Sequence, residues 1–217
     1  MGVKTKLRRS LKARGIQVPW FLMRDADRQL RMLANRLQPG DVVVDLGAHV
    51  GEVSIECARR GAEVHAFEAH PGIFETLRER TRNYPNIQVF NEAVSDEEGE
   101  VTLYFRPSAR PGHYQGSTLA QGKVGLDYQQ SVQVPALRLG ALLDRIGKPV
   151  RLMKMDIEGL EYRVLQDLID AGRAGELAEV HVECHADKVE GLAAQKTRVL
   201  AALQKAGLSD RYHFDWH

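Results

Sequence analysis

The sequence predicts an α/β fold built on a mostly parallel, doubly wound sheet, and three observations carry that prediction. Apolar runs of strand length alternate with segments of helical period from residue 41 to residue 91, and again from residue 150 onward. The first run, Val42-Val43-Val44, is β-branched throughout and shows no polar alternation, as expected of a strand buried on both faces. A glycine-spaced turn, Asp45-Leu46-Gly47-Ala48-His49-Val50-Gly51, then joins that strand to a helix over 52–60. Crossovers of this kind are right-handed.

Taken in order, residues 1–38 read as an N-terminal helical arm and 39–217 as one domain. Lys4, Lys6, Arg8, Arg9, Lys12 and Arg14 make the arm basic, Pro19-Trp20-Phe21 interrupts it, and Leu30, Leu33 and Leu37 mark an amphipathic helix over 26–37. Pro39-Gly40-Asp41 ends that helix. Strands over 62–67 and 86–91 flank a helix over 71–82, whose Pro71 suits a first turn. The rhythm then lapses into an inserted β-hairpin and loop. Residues 100–105 alternate like an exposed strand, 106–128 read as a long loop, and 131–137 read as a strand whose Pro135 suits a sheet edge. A helix over 139–146, strand 150–155, helix 160–171, strand 179–183, helix 189–206 and an aromatic last strand over 212–216 complete the pattern.

Composition narrows the function. Lys and Arg total 30 against 29 for Asp and Glu, giving a net charge of +1 and no global pull toward nucleic acid or an anionic membrane. Cys57 and Cys184 each sit in an apolar element and read as small core residues, not as a disulfide or zinc site. No apolar run is long enough to span a bilayer, and the basic N-terminus has no apolar stretch behind it. The expected setting is cytoplasmic.

Three clusters carry chemistry. The first turn is spaced Asp-x-Gly-x-x-x-Gly, not the Gly-x-Gly-x-x-Gly of pyrophosphate binders. An acid ahead of the glycines repels a pyrophosphate and suits a cationic ligand, such as the amino-acid end of S-adenosylmethionine (SAM). Gly47 and Gly51 leave the backbone open to such a ligand. Asp45 is placed to hold the turn or to receive the ligand's amino group through water. Glu68 ends the second strand, where an acid accepts the hydroxyls of an adenosine ribose. Glu92 and Ala93, after the third strand, are placed to wall the adenine. The second cluster is Lys154-Met155-Asp156-Ile157-Glu158-Gly159-Leu160-Glu161. Lys154 and Asp156 share a strand face, which allows either a buried ion pair or a site in which Asp156, with Glu158 or Lys154, flanks the transferring group. The third is His181-Val182-Glu183-Cys184-His185, whose His181, Glu183 and His185 share a face. Asp156, Glu183 and His185 suit a hard divalent ion, Mg²⁺ or Mn²⁺; in a metal-free site His185 is a general base.

These residues together resemble the FkbM family of SAM-dependent methyltransferases. The likeness runs over about residues 41–185, through the glycine turn, Phe67-Glu68-Ala69-His70-Pro71, Ala93-Val94-Ser95-Asp96 and, most specifically, the segment from Leu152 to Glu161. It implies a class I, Rossmann-like methyltransferase fold and methyl transfer to an oxygen, commonly a hydroxyl of a sugar, glycan or natural product. His49 stands where the family usually has Asn, and Ala69-His70 where Glu-Pro is usual. Gly116-Ser117-Thr118-Leu119 is similar to the family's Ser-rich loop, which closes over adenosine or acceptor. The expected cofactor contacts are Asp45, Gly47, Ala48, His49, Gly51, Glu68, Ala69, Glu92, Ala93 and Ser117. The expected catalytic residues are Asp156, Glu158, His185 and Lys154. Three alternatives stay open: an N-methyltransferase, a SAM-binding subunit without catalysis, and a nicotinamide oxidoreductase.

Overall fold

The computed structural model describes residues 25–106, 115–118, 130–185 and 191–216. Helix α1 (Asp25–Ala34) leads into β1 (Val42–Leu46), α2 (Glu52–Ala58), β2 (Glu63–Phe67), α3 (Pro71–Thr81) and β3 (Ile87–Phe90). Strands β4 (Ala93–Ser95), β5 (Gly99–Arg106), β6 (Gln115–Thr118) and β7 (Ser131–Arg138) follow. Then come α4 (Leu139–Ile146), β8 (Val150–Met155), α5 (Glu161–Asp170), β9 (Val180–Glu183), α6 (Leu192–Lys205) and β10 (Tyr212–Trp216). The basic residues of the arm and Pro19-Trp20-Phe21 lie outside the described residues.

Six strands form one parallel sheet in the order β10-β9-β8-β1-β2-β3. This is the expected doubly wound α/β sheet, and the aromatic tail is its sixth strand. The unbroken apolar run of β1 has a simple cause. Val42, Val44 and Leu46 enter the core beneath α4, α5 and α6, with Leu142, Leu165 and Leu203. Val43 points the other way, toward Leu33 of α1 and Cys57 of α2. Both faces are covered, so neither set can be polar. Leu33 and Ala34 seat α1 on that second face, with Leu37 just beyond the helix, and burying a leucine side chain stabilises by about 2 kcal/mol.

The insertion is more than a hairpin. Strands β4, β7, β5 and β6 form a second sheet in that order, with β5 antiparallel to both β7 and β6 and β4 parallel to β7. Two expectations change. The segment after β3, read as a cleft wall, contains a strand of this sheet, and the stretch read as one long loop contains β6. Three residues of Ala93-Val94-Ser95 carry too little pattern to show period 2. Pro135 sits in a strand with neighbours on both sides, but β4 pairs only with Ala136–Arg138. Among the described residues β7 therefore has no neighbour on that side from Ser131 to Pro135, a setting that accommodates proline. Cys57 and Cys184 are both free thiols, and no helix among the described residues is long and apolar enough to cross a membrane.

Candidate active site

In doubly wound sheets the ligand crevice opens beyond the strand C-termini where the chain order reverses. Here that point lies between β1 and β8. Among the described residues, two that are not glycine adopt positive φ: His49 (51°), after β1, and Glu158 (57°), after β8. Such conformations cost roughly 1–3 kcal/mol each and concentrate at functional sites.

On the β1 side, the glycines answer to packing within the chain. A Cβ added to Gly47 (φ 70°) would lie 1.8 Å from the Asp156 carbonyl oxygen, and one on Gly51 (φ 81°) would lie 2.8 Å from Leu77 Cδ1. The space a side chain would fill at these two positions is taken by the exit of β8 and by α3. The turn's amides are also used internally. Gly47 and Ala48 N–H both donate to Phe67 O (3.0 and 2.9 Å), and Gly51 N–H donates to Ala48 O (2.8 Å). These amides are therefore not a cradle for an anion, in keeping with a turn that differs from a pyrophosphate site.

Glu68 is the centre of this half. It is buried, and its two oxygens are held by two turns: His49 N–H donates to Oε2 and His70 N–H to Oε1, each at 2.9 Å. Burial pushes its pKa up to about 7 despite those two hydrogen bonds. A carboxylate oxygen has two lone pairs, so each of the two keeps one for a further donor. Asn91 Nδ2 ties the same step together, donating to the carbonyls of Glu68 (2.8 Å) and Ala69 (3.0 Å).

Several expected contacts have other partners. Asp45 is fully buried; Ser54 Oγ donates to its Oδ2 at 2.6 Å and Lys154 Nζ stands 3.6 Å from its Oδ1. Of the two roles expected for it, these contacts are those of a group that holds the turn. Ala48 packs with Ala66 and Leu77, and Ala93 packs in the second sheet's core with Leu103, with Ala69 against it. Glu92 accepts from Arg145 Nη1 through both oxygens, at 2.9 Å each. Ser117 lies in β6, but its side chain is outside the described residues. His70, the departure from the usual Pro, is the N-cap of α3: its Nδ1 accepts from Gly72 N–H (3.1 Å) and Ile73 N–H (3.4 Å).

On the β8 side, charge dominates. Lys154 is buried, donates to Gly47 O (2.7 Å) and Leu46 O (3.3 Å), and pairs with Asp45 and with Asp156 Oδ2 (3.4 Å). Burial works to lower its pKa, but the Asp156 and Asp45 carboxylates outweigh that and hold it above the ordinary lysine value. Of the two roles open to Lys154, the structure therefore fills the buried ion pair; its ammonium locks the β1 exit to the β8 exit instead of facing an acceptor.

His185 is 1% exposed and ringed by four carboxylates. Its Nδ1 meets Glu161 Oε1 at 3.0 Å. Its Nε2 lies 3.2 Å from Glu158 Oε2, 3.6 Å from Glu183 Oε1 and 3.9 Å from Asp156 Oδ1. Burial alone lowers its pKa; the bonds to Glu158 and Glu161 reverse this and raise it to about 10. These carboxylates favour the protonated ring, in which both nitrogens donate, whereas the general base expected of His185 needs the neutral form. Asp156, Glu158 and Glu183 keep side chains 26%, 34% and 24% exposed. His181, expected on the same face, turns to Glu179 (3.0 Å) and stacks on His213 at 4.6 Å, before the crevice end of β9. Glu161 was visible in the sequence as the last acid of its motif but drew no role. It is fully buried and binds His185 as well as the N–H groups of Ile157 and Gly159.

Residues 45–208 match a domain model described as Methyltransferase FkbM domain. Over 179 residues the chain is 31% identical to 31-O-demethyl-FK506 methyltransferase FkbM of Streptomyces tacrolimicus, covering 70% of this chain and 69% of that enzyme. It is also 43% identical over 53 residues to Ribosomal RNA small subunit methyltransferase A of Thermotoga neapolitana, covering 24% of this chain and 20% of that enzyme. The matches to three such ribosomal RNA enzymes span 20%, 31% and 27% of their length. Among solved structures, precorrin-6y C5,15-methyltransferase from Geobacter metallireducens GS-15 aligns with a TM-score of 0.47 at 12% identity, over 88% of this chain and 76% of that one.

Proposed function

Because the chain belongs to the FkbM family of SAM-dependent methyltransferases, we propose that its acceptor atom is a hydroxyl oxygen of a small molecule or glycan, such as a sugar or natural product. The observation that carries this reading is the group of part-exposed carboxylates at the β8 and β9 exits, fixed in place by buried cations. An alcohol must lose its proton as its oxygen is alkylated, so a base has to stand at the acceptor. A neutral amine needs none.

Family membership implies SAM, and the residues present fit it. Glu68 offers one lone pair from each oxygen, as a ribose diol requires, and the turn beside it presents no free anion cradle at Gly47, Ala48 or Gly51. When bound, SAM supplies an electrophilic methyl group on a sulfonium, which is already a good leaving group. The chain supplies alignment and proton transfer. Asp156 is the assigned proton acceptor. Lys154 holds its Oδ2, while Oδ1 stands 3.9 Å from His185, beyond hydrogen-bond reach, and serves the hydroxyl. His185 stands behind as a fixed positive charge that keeps neighbouring carboxylates ionised, and Glu158 borders the acceptor.

A second reading places Mg²⁺ or Mn²⁺ among Asp156, Glu183 and His185. The Glu183 and Asp156 oxygens 3.6 and 3.9 Å from His185 Nε2 favour it, with the ion replacing the Nε2 proton, although the donor atoms that lie within 4.8 Å of one another are those of Asp156, Glu161 and His185. A nucleic-acid acceptor is not proposed, since a net charge of +1 gives little purchase on phosphates. Two unpaired thiols accord with a cytoplasmic setting.

The test incubates the full chain with SAM and panels of sugars, phenols, amines and ribosomal RNA, and locates any added methyl by mass spectrometry. O-methylated products are expected; methyl found only on nitrogen or only on RNA would overturn the hydroxyl reading. SAM binding without any turnover would point to a non-catalytic subunit, and calorimetric preference for NAD over SAM to an oxidoreductase. Asp156→Ala should lower turnover about 10³-fold with S-adenosylhomocysteine (SAH) binding retained. Stoichiometric Mn²⁺ binding by electron paramagnetic resonance, together with EDTA inhibition, would select the metal reading.

A further inference from the structure

We infer that Glu161 is a positioning residue: one buried carboxylate clamps the Asp156–Glu158 loop and the ring of His185 into a single geometry, which rests on the reading of this crevice as the acceptor site. Its Oε1 meets His185 Nδ1 at 3.0 Å and accepts from Ile157 N–H at 3.1 Å. Both oxygens accept from Gly159 N–H, at 3.1 and 3.0 Å. The loop it holds contains two consecutive positive-φ residues, Glu158 (57°) and Gly159 (112°). A strained turn of this kind persists only where its surroundings over-determine it, and amide bonds to a buried carboxylate are the strong kind.

The clamp ties together residues far apart in the chain. His185 follows β9, while Glu161 opens α5 just after the loop from β8. Among the described residues, the charged groups facing His185 are Asp156 and Glu158 from the loop, Glu161 from α5, and Glu183 from β9. Among the described residues, only Glu161 takes the Nδ1 side. It therefore decides that Nε2 is the nitrogen presented to Asp156, Glu158 and Glu183. Buried residues that orient a histidine in this way matter through the atom they aim.

The experiment uses the full chain, ¹⁵N-labelled at histidine and in the backbone, with SAH bound. The unmodified protein should show a proton on His185 Nδ1 in slow exchange with water. In Glu161→Gln that proton should exchange rapidly, and the Ile157 and Gly159 amides should exchange at least about tenfold faster, while SAH affinity moves less than about twofold. With an acceptor returned by the mass-spectrometric panel, kcat should fall about 100-fold and the acceptor KM should stay within about threefold. These magnitudes follow the usual cost of mispositioned catalytic groups. A purely structural role would lower Tm without that split. An unprotonated Nδ1 in the unmodified protein, which needs no variant to fold, would overturn the clamp; so would Glu161→Gln with unchanged kcat. An unmodified protein that binds SAH and shows the Nδ1 proton, yet methylates nothing, would count against the acceptor reading and leave the clamp standing.

Discussion

The two sides of the crevice are built by different means. On the β1–β2 side the backbone does the binding: one carboxylate, Glu68, is held by amides of two turns, and the turn amides close on Phe67 O. On the β8–β9 side the side chains do it: Lys154 and His185 stand among Asp45, Asp156, Glu158, Glu161 and Glu183. A backbone-built half suits a ligand that never varies, since its geometry depends on few side chains. A charge-built half can be retuned residue by residue, which suits an acceptor that differs between relatives. The two halves touch at Gly47, whose α-carbon faces the Asp156 carbonyl without an intervening side chain.

That contact is where the comparison breaks most easily. In Gly47→Ala the new methyl would fall 1.8 Å from a backbone oxygen, at a φ of 70° that alanine avoids. Neither the strand exit nor the turn can move without shifting the Lys154 bonds that lock them. A loss on the order of 3 kcal/mol or more is expected, read as the urea midpoint. If Gly47→Ala instead keeps its stability and loses only SAH binding, the glycine serves the ligand and not the junction.

The next largest effect separates the halves by pH. With Glu68 raised to about 7 from an ordinary 4.5, the folded protein holds a proton between those values that the unfolded chain has released. Its contribution to stability therefore declines as pH rises from 4.5 to about 7 and is flat above. Ligand binding runs the other way, because ribose hydroxyls donate to the ionised form. SAH affinity should climb between pH 6 and 8 by calorimetry. Glu68→Gln places an amide donor against a backbone N–H, and should weaken SAH about tenfold or more and flatten the pH dependence. A profile identical in both proteins would remove Glu68 from the binding site.

The sequence shows the backbone-built half more fully than the charged one, for a physical reason. Short spacings such as Asp-x-Gly-x-x-x-Gly and an acid at the end of β2 are local, and local geometry follows from local residues. Even there the packing around Asp45, Gly47 and Gly51 is not legible, because what fills the space beside them, Lys154, Asp156 and Leu77, arrives from distant segments. The charged half was legible as composition: Asp156, Glu158, Glu183 and His185 do converge. Its protonation was not, since His185 looks like a base until the number of carboxylates around it is known. Glu161 was overlooked because it stands at a helix start, where an acid already has an ordinary explanation. Strand β4 has only three residues, and β6, Gln115-Gly116-Ser117-Thr118, has no apolar residue to mark it as a strand.

The smallest effect tests whether His70 belongs to the backbone-built half by its side chain or only by its amide. The amide donates to Glu68 Oε1, a bond that any residue except proline can make. The ring faces elsewhere: it caps α3 through Gly72 and Ile73 and packs edge-on against Phe105 of β5, centroids 4.7 Å apart. Burial lowers its pKa, which keeps Nδ1 free to accept at neutral pH. Its cap is present above the unfolded value of 6.5, and stability from this group falls as pH drops through the lower folded value. His70→Ala should therefore cost about 1 kcal/mol, the usual worth of a cap, with faster exchange at the Gly72 and Ile73 amides and SAH affinity unchanged within about twofold. A larger fall in SAH affinity than in stability would put the imidazole itself on the cofactor, and the substitution of His for the usual Pro would then be a change in cofactor grip rather than in helix capping.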